Sequence, residues 1–365
     1  MFFKLFQVAI ALSFLSSLMG CSVFNRNPPE PSISWQLPED SDTVDISPDG
    51  QLLAVSVGKR ESREIRGYSY GGRTSLELRK TSDGSLIKKI PAFSVSSVAI
   101  SHNNSLIATG TYPGDIHVWN LQTGKLLHSI TVPKKDLQLC INTRHDRPCR
   151  VSYLDFSPNS KYLASYTNNQ GTDIWRVSNG RRLYRFDERK AQFALDGNFF
   201  DFADSPLKLY TPENREVVKQ LTLEGYPLFS PNEQIIAFYR RNWITLYHQQ
   251  KQTIQDRLKS PGYFQNWSFS PDSKYFAVAS YIPSRGGGDF HVAAHSPSST
   301  EPRTILILYR LSPQGRVIGQ KKLLDDENGI RLSSAAIAFS EDNQTFILAG
   351  YRGNVRLWNL EDLKF

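Results

Sequence analysis

Residues 98–130 read VAISHNNSLIATGTYPGDIHVWNLQTGKLLHSI, and the fold is decided in this stretch. It holds four short apolar runs, Val98–Ser101, Leu106–Ala108, Ile116–Leu121 and Leu126–Ile130, none long enough for a stable helix. The first two are joined by His102, Asn103 and Asn104, and the last two by Gln122, Thr123 and Gly124. Such residues form tight turns because Asn tolerates the left-handed region and Gly has no Cβ to clash there. Short strands on tight turns make an antiparallel, four-stranded unit.

The same opening recurs along the chain. Val44–Ser47 is followed by Pro48, Asp49 and Gly50, and Leu154–Ser157 by Pro158, Asn159 and Ser160. Further copies stand at Ala194–Gly197, Ser230–Glu233, Ser270–Ser273 and Ser340–Asn343, which makes seven with Val98–Ser101. A unit repeated at about 40 residues cannot bury its faces alone and stacks on its neighbours. Trp119, Trp175, Tyr210, Tyr247, Tyr309 and Trp358 hold one third-strand position in six copies. Aromatics in register with the repeat are read as packing between units.

On these residues the chain resembles the WD-repeat family, whose four-stranded units form the blades of a propeller. The likeness covers about residues 33–365. It is clearest where Ile116, His117, Val118, Trp119 and Asn120, and again Val355, Arg356, Leu357, Trp358 and Asn359, match the family's third strand. Asn120 and Asn359 stand where the family has Asp, and its Gly-His pair is missing. The resemblance implies an all-β fold, a seven-bladed β-propeller of four-stranded antiparallel blades. Ile33, Trp35 and Leu37 alternate with Ser34 and Gln36 ahead of the first copy, and the seventh copy lacks a fourth strand. An N-terminal strand is therefore expected to close the ring and remove two open sheet edges.

Composition agrees with a large apolar core: of 365 residues, 39% are hydrophobic and 21% charged, which argues against disorder. Three cysteines are too few for a disulfide scaffold. At the N-terminus Lys4 precedes an apolar run from Leu5 to Leu18, too short to span a bilayer stably. This is read as a secretion signal over residues 1–20. Leu18, Met19, Gly20 and Cys21 resemble a bacterial lipobox, which implies that Cys21 carries diacylglycerol. Residues 21–32, with Pro28, Pro29 and Pro31, are read as a tether before the propeller at 33–365. Ser22, where Asp would favour inner-membrane retention in such lipoproteins, points to the outer membrane, facing the periplasm. In an oxidising compartment Cys140 and Cys149 are expected to pair.

Three insertions lengthen the repeats, at residues 59–73, 133–150 and 281–303. Because strand direction alternates, all three are expected on one face. Lys59, Arg60, Arg63, Arg66 and Arg73 outnumber Glu61 and Glu64, and Lys134, Lys135, Arg144, Arg147 and Arg150 outnumber Asp136 and Asp146. Each of these two insertions has a net charge of +3; the whole chain carries +8, and +7 without Lys4. With Tyr68 and Tyr70 among them, these residues form the expected partner-binding surface.

No Gly-x-Ser-x-Gly turn is present, and His291 and His295, although four apart, flank Val292 in a glycine-rich stretch. No catalytic residue, metal or cofactor is assigned. The preferred reading is a monomeric, non-catalytic scaffold, lipid-anchored in the cell envelope, that binds an acidic protein and no nucleic acid. A propeller enzyme, a hydrolase or lyase acting on an envelope substrate through scattered loop residues, stays open beside it.

Overall fold

In the computed structural model the described residues are 28–38, 41, 43–58, 61–65, 68–112, 114–131, 150–167, 171–186, 192–201, 207–221, 225–282, 303–326, 336–349 and 354–365. The first strands are β1 (Ile33–Gln36), β2 (Val44–Ile46), β3 (Leu52–Val57), β4 (Glu61–Ile65), β5 (Tyr68–Lys80), β6 (Leu86–Ile100), β7 (Leu106–Thr111), β8 (Ile116–Asn120) and β9 (Leu126–Ile130). The third repeat supplies β10 (Val151–Phe156), β11 (Tyr162–Thr167), β12 (Gly171–Arg176) and β13 (Arg181–Phe186), and the fourth β14 (Gln192–Phe193), β15 (Phe199–Asp201), β16 (Leu207–Tyr210) and β17 (Val217–Leu221). The fifth has β18 (Tyr226–Phe229), β19 (Ile235–Arg240), β20 (Trp243–His248) and β21 (Thr253–Lys259); the sixth β22 (Tyr263–Phe269), β23 (Tyr275–Ile282), β24 (Arg303–Leu311) and β25 (Val317–Asp326). Last come β26 (Ala336–Phe339), β27 (Thr345–Ala349) and β28 (Asn354–Asn359), then a short 3-10 turn at Leu360–Asp362.

The fold is an all-β propeller. The described residues form five separate four-stranded antiparallel sheets, where seven separate blades are expected. The difference lies in β2 to β9, which make one eight-stranded sheet. Its cause is β6, one strand of 15 residues whose pairing shifts register between Pro91 and Ser97. Its first half pairs with β5, as in Leu76↔Ile90, and its second half with β7, as in Ile100↔Ile107. β1 pairs antiparallel with β28, with Trp35 opposite Val355, so the N-terminal strand completes the sheet of β26, β27 and β28.

Each repeat is stitched by the turn its sequence predicts. In Ser157–Tyr162 the serine hydroxyl donates to Asn159 Oδ1 at 2.7 Å and accepts the Tyr162 N–H at 2.9 Å. Ser101, Ser230, Ser270 and Ser340 repeat the pattern with Asn103, Asn232, Asp272 and Asp342. These bonds satisfy a hydroxyl whose residue is fully buried at Ser101, Ser157, Ser230 and Ser270. The fourth repeat departs: Ala194 replaces the serine, and its N–H bonds Asn198, one residue nearer than in the other turns. Packing of Phe186, Phe193, Phe199 and Tyr210 holds this region.

Seven apolar clusters occur among the described residues, each bridging consecutive repeats. Trp119, Trp175, Tyr210, Tyr309 and Trp358 are buried in them, Trp358 at 1% exposure, and Tyr247 packs against one. Two members of the expected tether are docked on the ring, since Trp358 Nε1 donates to Pro29 O at 3.0 Å and Asn359 N–H to Ser32 Oγ at 3.1 Å. The free span before the propeller is shorter than residues 21–32 by these contacts. Among the described residues no helix is long and apolar enough to cross a membrane.

Candidate functional site

The first insertion is a hairpin and not an open loop. β5 extends past its sheet and turns back on β4, with Glu61↔Gly72, Arg63↔Tyr70 and Ile65↔Tyr68 in register. Arg73 stands opposite Val95 of β6, at the hairpin's root. The sequence signal was present in the alternation of residues 61–73 and was masked by their charge.

Arg60, Arg66, Lys134, Lys135, Arg144 and Arg147 lie outside the described residues, as do Cys21 and the Cys140–Cys149 pair. Arg150 is described, and it is half-buried and engaged. Its Nη2 donates to Ser96 O at 3.2 Å, and its guanidinium lies 5.6 Å from the Tyr112 ring centre. It therefore clamps the start of β10 to the adjacent sheet, a structural task besides the binding role expected of it. The insertions leave their sheets at matching ends: Val57 opposes Ser75, Val151 opposes Thr167, and Ile282 opposes Arg303. In each sheet this is the end at which the first strand begins.

The family-like third strands keep part of a hydrogen-bond network. Trp119 Nε1 donates to Thr109 Oγ1 at 3.1 Å and Trp175 Nε1 to Ser165 Oγ at 2.8 Å. Asn120 and Asn359 do what a carboxylate could do there, accepting from Thr123 N–H at 2.7 Å and Glu361 N–H at 3.0 Å.

A second constellation, not singled out in the sequence, lies on the innermost strands. Asp45 on β2 and Asp155 on β10 occupy equivalent repeat positions, with Ala99 of β6 at the intervening one. Asp45 Oδ2 accepts the Ile100 N–H at 2.7 Å. Burial pushes the Asp45 carboxyl up to about 7, against the pull of its backbone bonds, and the charge of Asp155 adds to the rise. Burial likewise pushes Asp155 up to about 7, although a hydrogen bond from Tyr153 draws it back. Tyr153 is itself driven well above its usual value, first by burial and then by Asp155. The signal in the sequence was an Asp in two inner strands whose other copies carry Ala, Leu, Ser or Gln. Among the described residues, no group of three or more His, Cys, Asp or Glu is arranged to hold a metal ion.

Residues 84–120 match the family model WD40, described as "WD domain, G-beta repeat". The chain also aligns with curated proteins over part of their length. The chain is 33% identical over 128 residues to the target of rapamycin complex subunit LST8 of Rattus norvegicus, covering 35% of this chain and 37% of that one. It is 20% identical over 231 residues to autophagy-related protein 16 of Arabidopsis thaliana, covering 58% and 43%. With the COMPASS component SWD3 of Saccharomyces cerevisiae it shares 28% identity over 109 residues, covering 29% and 33%. The chain thus spans between a third and a half of the length of these relatives. A chain in the crystal structure of the mitotic checkpoint complex superposes with a TM-score of 0.60 over 93% of this chain and 94% of its own, at 14% identity, a likeness of fold alone. Sheet order, repeat turns and these matches together show a β-propeller fold that carries a WD repeat at residues 84–120 and is similar to WD-repeat proteins.

Proposed function

We propose that the chain is a non-catalytic protein-binding scaffold, lipid-anchored through Cys21 in the bacterial cell envelope, on the periplasmic side of the outer membrane. In this reading residues 1–20 are the leader and residues 33–365 one seven-bladed ring. The seven junction clusters support that count, the eight-stranded sheet being two blades that share β6. The partner is an acidic protein met by Arg60, Arg63, Arg66, Tyr68, Tyr70 and Arg73 of the first insertion. Lys134, Lys135, Arg144, Arg147 and Arg150 of the second, braced by a Cys140–Cys149 disulfide, complete the surface.

The observation that carries the proposal is the hairpin of β4 and β5, a pair of strands that extends past its sheet and whose sequence carries Arg63, Tyr68 and Tyr70. Arg and Tyr are the residue types that dominate interface energetics. Relatives named as a complex subunit and a complex component, LST8 and SWD3, support a protein partner. Reversing Arg60, Arg63, Arg144 and Arg147 to Glu should cut recovery of the partner after envelope cross-linking and lower the salt sensitivity of that recovery. Unchanged recovery would end the proposal.

One observation favours the enzyme reading: Asp45 and Asp155, with elevated carboxyl pKa values, suit general acid–base work on an envelope substrate. Turnover by the purified chain that is lost in Asp45→Asn or Asp155→Asn would establish it over the scaffold.

A further inference from the structure

The outermost strand of a sheet opens with an apolar pair in three places, Leu126 and Leu127, Val217 and Val218, Val317 and Ile318, and β6 opens likewise with Leu86 and Ile87. In β13 the same place holds Arg181 and Arg182. Register sets Arg181 directly opposite Arg176 of β12. Like charges so opposed destabilise a sheet, and the neighbouring repeat relieves them. Glu213, in the turn after β16, pairs with Arg176 and accepts the Tyr162 hydroxyl at 2.8 Å. These two contacts, and at longer range Arg181, hold its carboxyl below the usual range.

The remaining arginines are equally ordered. Asp173 on β12 accepts two bonds of 2.8 Å from Arg185 and lies 3.7 Å from Arg182. Arg215, at φ +56°, places its guanidinium 4.3 Å from the Tyr184 ring centre and 5.7 Å from that of Tyr210. Arg176, Arg181 and Arg215 thus gather around the one carboxylate of Glu213 on the outer wall between the third and fourth sheets, while Asp173, Arg182 and Arg185 share the opposite face of β12 and β13 with Trp175, toward the second repeat. Arg181 and Arg215 are exposed, and neither has a carboxylate partner among the described residues. Ion pairing within the fold needs fewer arginines than are present.

We propose that this wall is a second docking surface, which takes an acidic segment of a protein partner between Arg181 and Arg215, beside Tyr162 and Tyr184. Planar guanidinium forks fixed by stacking and ion pairs match carboxylates two bonds at a time. Half-buried tyrosines beside them give the apolar ground that a peptide contact uses and a hydrated headgroup layer does not. The surface lies at the turns after β12 and β16, the opposite strand ends from those that bear the insertions. It is therefore separate from the surface proposed above.

The test titrates the full chain with a fluorescent octaglutamate peptide, read by anisotropy, with vesicles rich in phosphatidylglycerol as a parallel arm. Arg181→Glu with Arg215→Glu should weaken peptide binding about tenfold or more. Lys125→Glu with Lys251→Glu, an equal charge change beside the corresponding turns of two other sheets, should stay within about twofold. Arg181→Gln with Arg215→Gln should give an intermediate loss, and melting temperatures identify any variant that has not folded. Equal losses from the two reversals, no loss from either, or a loss confined to vesicle binding would overturn the proposal.

Discussion

Replacing Asp45 by Asn removes one of two carboxyls that the innermost strands hold near neutrality while keeping an oxygen for the Ile100 N–H. In the unfolded chain an aspartate titrates near 3.9, and in the fold Asp45 titrates at about 7. A folded pKa above the unfolded one means that the folded state binds the proton more tightly. Its contribution to stability is complete below pH 4 and is lost as pH rises through 7. Three units at about 1.36 kcal/mol each bound the loss at about 4 kcal/mol, nearly all of it from burial of Asp45 itself. In a chain of this size every ~2 kcal/mol corresponds to ~3 °C of melting temperature. Thermal melts of Asp45→Asn and the parent chain from about pH 3.5 to pH 8 should therefore coincide at the acid end. At pH 8 the variant should be the more stable. Parallel curves across the whole range, or a variant that loses stability at pH 8, would refute the reasoning.

Two further perturbations probe the ring. Trp358→Ala empties a side chain that is 1% exposed and removes its bond to Pro29 O, so a loss of about 3 to 5 kcal/mol is expected in denaturant melts; a loss below ~1 kcal/mol would mean that the inter-repeat aromatics do not carry the packing. Gly84 sits at φ +73°, and a Cβ there would lie 2.6 Å from the Trp35 ring, whose Nε1 donates to Thr81 O at 2.9 Å. Gly84→Ala should therefore cost about 1 to 3 kcal/mol and expose the β1 segment to limited proteolysis; protection equal to the parent chain would show that closure does not depend on that contact.

Much of the architecture was readable because each repeat announces its own first turn, with Ser then Asn or Asp at fixed spacing. The N-terminal strand was readable from the alternation of Ile33 to Leu37 and from the missing last strand. That one strand, β6, would serve two blades was not, since Pro91 and the serines from Ser94 to Ser97 suggest a break, and the structure has only register shifts there, with Ser94 at φ +57°. At the sites, charge identified the insertions without distinguishing hairpin from loop. It gave no sign that Arg150 would be engaged by Ser96 and Tyr112. The Asp45–Asp155 pair and the arginine wall each join residues of different repeats, and only the stacking of successive repeats brings such residues together.

The central claim is that one end of the propeller, where the β4–β5 hairpin stands, receives a protein partner. A photoreactive residue placed at Tyr70, and in a separate chain at the exposed Ile318 of β25, tests it in cells that express the chain. The account predicts a discrete cross-linked partner from position 70, reduced by reversal of Arg60 and Arg63, and none from position 318. Equal capture from both positions, or capture from 318 alone, would contradict it.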